Sequence, residues 1–177
     1  MSWDSAVTRE SAWFTAEPPA SFPAALPLLR AVDATAPFDT VQARRPYLHP
    51  RMGRHLYIYR DYRKPQQETV EASGIMLWIH HFVAHMVWTF NEPTRQAEDM
   101  EQHLETAIAR VKDRIRGPGS DHTHGGIFSD VAADAMAGSA GSDMDVEFLG
   151  DPIDAIRDRS QVEVLVAYSA TDPFFAT

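Results

Sequence analysis

The chain contains no cysteine. Disulfide scaffolds, thiolate zinc sites, iron–sulfur clusters and cysteine nucleophiles are therefore excluded together. It also lacks any run of the ~18 apolar residues that a membrane-spanning helix requires, and its N-terminus lacks a basic-then-apolar signal pattern. Glycine is sparse, with 9 in 177 residues, and no glycine-rich phosphate loop is present, because GPGSDH at 117–122 has neither the spacing nor the lysine. The expectation is a soluble chain. At this length it can form one domain and bury roughly 70% of its unfolded surface without a covalent staple.

What the sequence does have is acid. Sixteen Lys and Arg oppose 25 Asp and Glu, a formal charge of -9. The excess is not evenly spread. Residues 1–93 carry nine basic and nine acidic side chains, whereas residues 94–177 carry seven and sixteen. Inside the neutral half, residues 44–64 hold Arg44, Arg45, Arg51, Arg54, Arg60, Arg63 and Lys64 against Asp61, interleaved with Tyr47, Tyr57, Tyr59 and Tyr62. Basic residues among aromatics suit a single-stranded nucleic-acid groove. They equally suit exposed strand edges, where Arg and Lys block unwanted pairing, and the anionic field of the whole chain opposes nucleic acid.

Seven of the 12 prolines lie in residues 1–50, which rules out a long helix or a central strand there. Residues 1–20 read as an N-terminal arm whose Trp3, Trp13 and Phe14 dock on this chain or a neighbour, and residues 21–177 as a single domain. Ser21 is placed to cap a short helix from Pro23 to Val32. FDTVQARR at 38–45 and HLYIYR at 55–60 read as short strands, and the polar stretch 61–74 as a loop.

IMLWIHHFVAHMVWTF at 75–90 favours a strand, with Met76, Trp78, His80, Phe82, Met86 and Trp88 on one face and Leu77, Ile79, His81, Val83, His85 and Val87 on the other. Both faces are apolar, as in a central strand or one covered by another chain. From Thr94 to Arg116 the apolar residues Ala97, Met100, Leu104, Ile108, Val111 and Ile115 recur at steps of three and four, the stripe of an amphipathic helix. Acids at its start and Arg110, Lys112, Arg114 and Arg116 at its end complement the helix dipole, and Gly117-Pro118-Gly119 stops it. Beyond it come a short strand at 125–131, a mobile small-residue loop at 132–143 and a strand at 144–149 with Met144, Val146 and Phe148 inward. A turn and a closing strand at 161–168 follow. The fold class is α+β, a mostly antiparallel sheet packed by one long and one short N-terminal helix.

Catalytic patterns are thin. AGSAG at 137–141 has Ala where a nucleophile elbow needs Gly. Asp121-His122-Thr123-His124 offers two imidazoles, His122 and His124, as weak metal-ligand candidates, and a metal hydrolase there would need His49, His55 or His103 to converge. His81 and His85 are four apart in a strand, roughly 13 Å, too far for one ion. No catalytic residue, cofactor or enzymatic activity follows from these patterns.

The order FDTVQARR, HLYIYRD, WIHHFVAHMVW, LETAIARV, GGIFSDV and DVEFLGDP…VEVLVAYSATDP resembles that of the tail-terminator (minor tail) proteins of long-tailed phages, the lambda type included. The likeness covers residues 21–173 and consists of spacing and hydrophobic pattern. The Pro-rich arm, the extra length and the charged DAIRDRS depart from it. It implies a structural virion protein with no enzymatic role and no cofactor, forming a hexameric ring at the head-proximal end of the tail tube. Partners implied are further copies of itself, the tail tube protein and the head-completion (stopper) protein, with double-stranded DNA passing through unbound. The location implied is the virion neck, and the host cytoplasm during assembly. Another neck protein of the same fold is the nearest alternative, and a nucleic-acid module using 44–64 is the alternative from a different class.

Under this reading Trp13, Trp78, Phe82, Trp88, Arg44 and Arg45 are interface candidates, the aromatic ones competing with plain core packing. Asp143, Asp145, Glu147, Asp151, Asp154 and Asp158 are candidates for lumen or loop charge.

Overall fold

A computed structural model describes residues 3–15, 37–46, 52–64, 67–70, 76–91, 96–116, 122–124, 128, 130–133 and 144–174. The chain order is α1 (Trp3–Thr15), β1 (Thr40–Gln42), β2 (Arg54–Arg60), β3 (Gln67–Val70), β4 (Met76–Thr89), α2 (Ala97–Arg116), β5 (Asp130–Ala133), β6 (Val146–Leu149), α3 (Pro152–Arg157) and β7 (Gln161–Phe174). The class is α+β: helices pack on a mixed, mostly antiparallel sheet of seven strands. No helix among the described residues is long and apolar enough to cross a membrane.

β4 and β7, each 14 residues long, lie side by side and pair over their whole length, from Met76↔Phe174 to Thr89↔Gln161. Both carry Val and aromatic residues, which suits strands flanked on both sides. Each outer flank of this pair carries two short strands end to end. β2 and β3 lie along β4, while β6 and β5 lie along β7. β1 joins the outer side of β2 and is the one parallel strand. Gly53 makes that corner possible: its φ of 141° disfavours any side chain, and a Cβ would sit 2.9 Å from Asp39 Oδ2. Asp39 instead accepts from the Arg54 amide at 2.8 Å.

Alternation divides the sheet as its sequence suggests. Phe82, Ala84, Met86 and Trp88 join the main core with Leu56, Ile58, Val164, Val166 and Tyr168, under α1 and α2. Val83 and Val87 join Tyr57, Tyr59 and Leu165 in a smaller cluster on the other face. The amphipathic stripe of α2 is seated through Met100, Leu104, Ala107, Val111 and Ile115. Ala97, expected in that stripe, is exposed because it opens the first turn.

Several expectations are corrected. Residues 3–15, expected as an arm, form a helix whose Ala6, Trp13 and Phe14 enter the core. The segment 61–74, expected as a loop, contributes β3, which pairs with β4 from Gln67↔Ile79 to Val70↔Met76. The strand expected at 38–45 is confined to Thr40–Gln42, and the one expected at 125–131 begins only at Asp130 and runs to Ala133. Phe148, expected inward, is 41% exposed on β6, which among the described residues pairs only with β7 and so forms a sheet edge. The DAIRDRS stretch folds into α3, capped by the Asp151 carboxylate accepting from the Ile153 amide at 2.8 Å and started by Pro152. The helix expected at 23–32, the stop at 117–119 and most of the loop expected at 132–143 lie outside the described residues.

Phe14 is fully buried in the main cluster and contacts Tyr168. Phe14→Ala is expected to cost about 3–5 kcal/mol in urea unfolding, a large share of a typical domain's stability. A loss under 1 kcal/mol would mean that α1 is not part of the core.

Candidate functional site

Two polar clusters and two charged edges remain once the apolar core is set aside. The first cluster is sealed. Glu10 of α1 is fully buried and accepts from Tyr168 Oη at 2.7 Å, and it meets His124 Nδ1 at 3.0 Å. His124 Nε2 lies 3.0 Å from the Ile115 carbonyl. A carbonyl only accepts, so Nε2 carries a proton, and the Nδ1–Glu10 contact holds one more between ring and carboxyl.

Trp13 stacks on His124 with ring centres 5.0 Å apart, and the Arg114 guanidinium sits 4.2 Å from the Trp13 ring. Arg114 also donates to the Trp13 carbonyl, while Trp13 Nε1 donates back to the Arg114 carbonyl at 3.4 Å. Burial lowers the Arg114 pKa to about 10, opposed by the nearby Glu10. Burial, together with Glu10, pushes the Tyr168 hydroxyl well above its usual value. The cluster ties α1 to α2, to the 122–124 turn and to β7.

His124 is thereby removed as a metal-ligand candidate, since both ring nitrogens face protein acceptors. His122 is half-buried in the adjacent turn. Among the described residues, no group of three or more His, Asp or Glu is arranged to hold an ion.

The second cluster lies on the opposite face of the sheet and crosses three strands. Tyr59 Oη contacts His85 Nδ1 at 3.2 Å, and His85 Nε2 contacts Glu163 at 2.7 Å. A hydrogen on Nε2 satisfies both contacts, donating to the carboxylate while Nδ1 accepts from the phenol. The row has the outline of a proton relay, yet burial raises the Tyr59 pKa, with Arg45 opposing. Burial also lowers the His85 pKa and outweighs the raising effect of Glu163. Both shifts favour the neutral groups, and the row links β2, β4 and β7. Beside it a cleft of about 620 Å³ is lined by Asp61, Arg63, Lys64, Asp145, Val146, Glu147 and Ala167. Burial alone would raise the Asp61 pKa, but two side-chain bonds from Arg63, at 2.9 and 3.2 Å, and the Arg63 amide hold it below the usual range. Arg63 also reaches Glu147 at 4.0 Å, so opposite charges face each other across the cleft.

The aromatic interface candidates differ in how far this chain already covers them. Phe82 and Trp88 are core residues, Trp13 is enclosed by Arg114 and His124, and Trp78 is half-buried on β4. Side chains already covered within the chain have little surface left for a partner. Of the four tyrosines in the basic stretch, Tyr57 and Tyr59 are buried, Tyr62 is exposed and Tyr47 lies outside the described residues. Arg45 covers Tyr59 and Arg54 covers Trp88, at 5.3 and 4.7 Å.

Arg44 and Arg45 are exposed beside β1, at one edge of the sheet. Asp151, Asp154 and Asp158 are exposed on the β6–α3 corner at the other, with Asp145 and Glu147 half-buried nearby and Asp143 outside the described residues. Arg157 pairs with Asp154 and Asp158 at 2.8 and 3.1 Å. The apolar members of this corner, Phe148, Leu149 and Ile153, are 41%, 46% and 66% exposed. Of these, alternation placed Phe148 inside, and Leu149 and Ile153 carried no signal as isolated apolar residues beside turn chemistry.

A comparison with known protein families finds no match, and none of the curated proteins is significantly similar in sequence.

Two outcomes check the polar clusters. Tyr168→Phe leaves the buried Glu10 one donor short and is expected to cost about 1–3 kcal/mol in urea unfolding. For His85 the folded pKa lies below the unfolded 6.5. Its contribution is therefore present above that value and lost as pH falls through the folded pKa. The stability of the wild type should decline more steeply on acidification below about pH 6.5 than that of His85→Gln. Parallel pH profiles would show that His85 does not titrate in this way.

Proposed function

We propose that this chain is a structural virion subunit of the tail-terminator type, a ring that caps the head-proximal end of a phage tail tube and joins it to the head-completion complex. One observation carries the reading: segments of opposite charge flank a single sheet. Although Arg63 and Lys64 meet Asp145 and Glu147 across the internal cleft, Arg44 and Arg45 stay exposed at one edge and Asp151, Asp154 and Asp158 at the other. Between Pro37 and Lys64 seven basic side chains face only Asp39 and Asp61, and this segment builds the β1–β2 edge. Between Asp143 and Ser160 six acidic side chains face only Arg157 and Arg159, and this segment builds the β6–α3 edge. A surface that complements a different surface on an identical copy makes a heterologous contact, which closes into a ring when the rotation allows.

The order of elements also supports it. A strand opening on Thr40-Val41, a long strand, a helix carrying Leu104 and Ala107-Ile108, and closing strands follow the order the sequence resemblance implies; α1 lies ahead of the stretch that the resemblance covers. The acidic excess of the second half suits a wall past which double-stranded DNA slides without adhering. Another neck protein of the same fold shares these features and occupies a different storey of the connector.

Native mass spectrometry of the purified chain tests the proposal. A particle of about six copies is expected, and Arg44→Glu with Arg45→Glu should shift it towards smaller species. A strict monomer at micromolar concentration overturns the ring.

A further inference from the structure

The strand pairings arrange five strands into shared levels. Val41, Leu56, Met86, Val164 and Phe148 are successive cross-strand partners from β1 to β6. The levels on either side run Thr40–His55–Val87–Glu163–Leu149 and Gln42–Tyr57–His85–Leu165–Glu147. Among the described residues β1 pairs only with β2, and β6 only with β7. β1 runs with β2 and hence with β7, against which β6 runs antiparallel. An identical copy set alongside in the same orientation therefore presents its β1 antiparallel to β6.

We infer that neighbouring copies join by adding β1 of one to the edge of β6 of the next, continuing the sheet across the interface. This rests on the ring reading above and names its contact. Docked at equal levels, Phe148 of one copy meets Val41 of the next on the face that carries the main core. That contact gives Phe148, 41% exposed on a strand edge, an apolar partner. Because the two strands run in opposite directions, Arg44, two residues beyond Gln42, comes level with Asp145, two residues before Glu147. One basic–acidic pair, Arg44 with Asp145, thus accompanies the apolar Val41–Phe148 contact. Main-chain pairing at an open edge is a known route of recognition, with side chains on alternate faces setting register.

The absence of native cysteine makes the test clean. Within one chain, Val41 and Phe148 are four strand spacings apart, roughly 19 Å along the sheet, too far for an internal disulfide. Val41→Cys with Phe148→Cys, mildly oxidised, should therefore give a ladder of covalent multimers on a non-reducing gel, collapsed by reductant. Val41→Cys with Leu149→Cys puts the thiols on opposite faces and should stay monomeric on the same gel. Phe148→Asp, an exposed substitution, should turn rings into folded monomers with an unchanged circular dichroism spectrum. If the wild type forms rings but the first pair gives no ladder, or both pairs give the same ladder, or Phe148→Asp still forms rings, this contact is wrong and the ring survives. If the wild type is monomeric, the ring and the contact fall together.

Discussion

The pairing of β4 with β7 is the constraint on which the rest of the molecule depends. Fourteen consecutive residues of each strand are locked in one register. A slip of a single residue would turn Phe82, Met86 and Trp88 out of the core and bring Val83 and Val87 in. With that register fixed, every flanking strand takes its level from it. Among the described residues, the edge strands β1 and β6 end up antiparallel and level, with Arg44 and Arg45 following β1 and Asp145 preceding β6. The proposed contact between copies uses the levels that this ladder sets.

α1 and α2 close the main face, and a buried ionic cluster holds them there. Burying Glu10 and Arg114 costs desolvation, which a buried charge recovers only where its bonds are well made. Tyr168 and His124 bond to Glu10, and Trp13 exchanges bonds with Arg114. An apolar seam would hold two helices at least as firmly. What the polar one adds is a single acceptable rotation of α1, since Glu10, Trp13 and Phe14 must enter together.

Elements whose periodicity was purely apolar were legible in the sequence. The long strand β4, the helix α2 and the closing strand β7 announce themselves by alternation or by a three-and-four spacing. α1 was not legible because its inward stripe runs through Ala6, Glu10 and Trp13, and a carboxylate in the middle of a stripe reads as solvent-facing. The burial of Arg114 was not legible either: a cation near a helix end has an adequate explanation in the dipole, so nothing in the sequence demands that it be buried. Phe82 and Trp88 were legible as large apolar anchors, but whether an anchor faces its own core or a neighbour depends on which helices cover the strand. The exposed corner of Phe148, Leu149 and Ile153 emerged only from the edge position of β6, a property of sheet order that no local pattern encodes.

The most direct measurement of ring assembly is an averaged electron-microscope image of the purified wild-type particle. A closed ring of about six copies around an open channel is expected, with the subunits in one rotational sense as a heterologous contact requires. Single globules of about one chain, or pairs related by a two-fold axis with no channel, would contradict it.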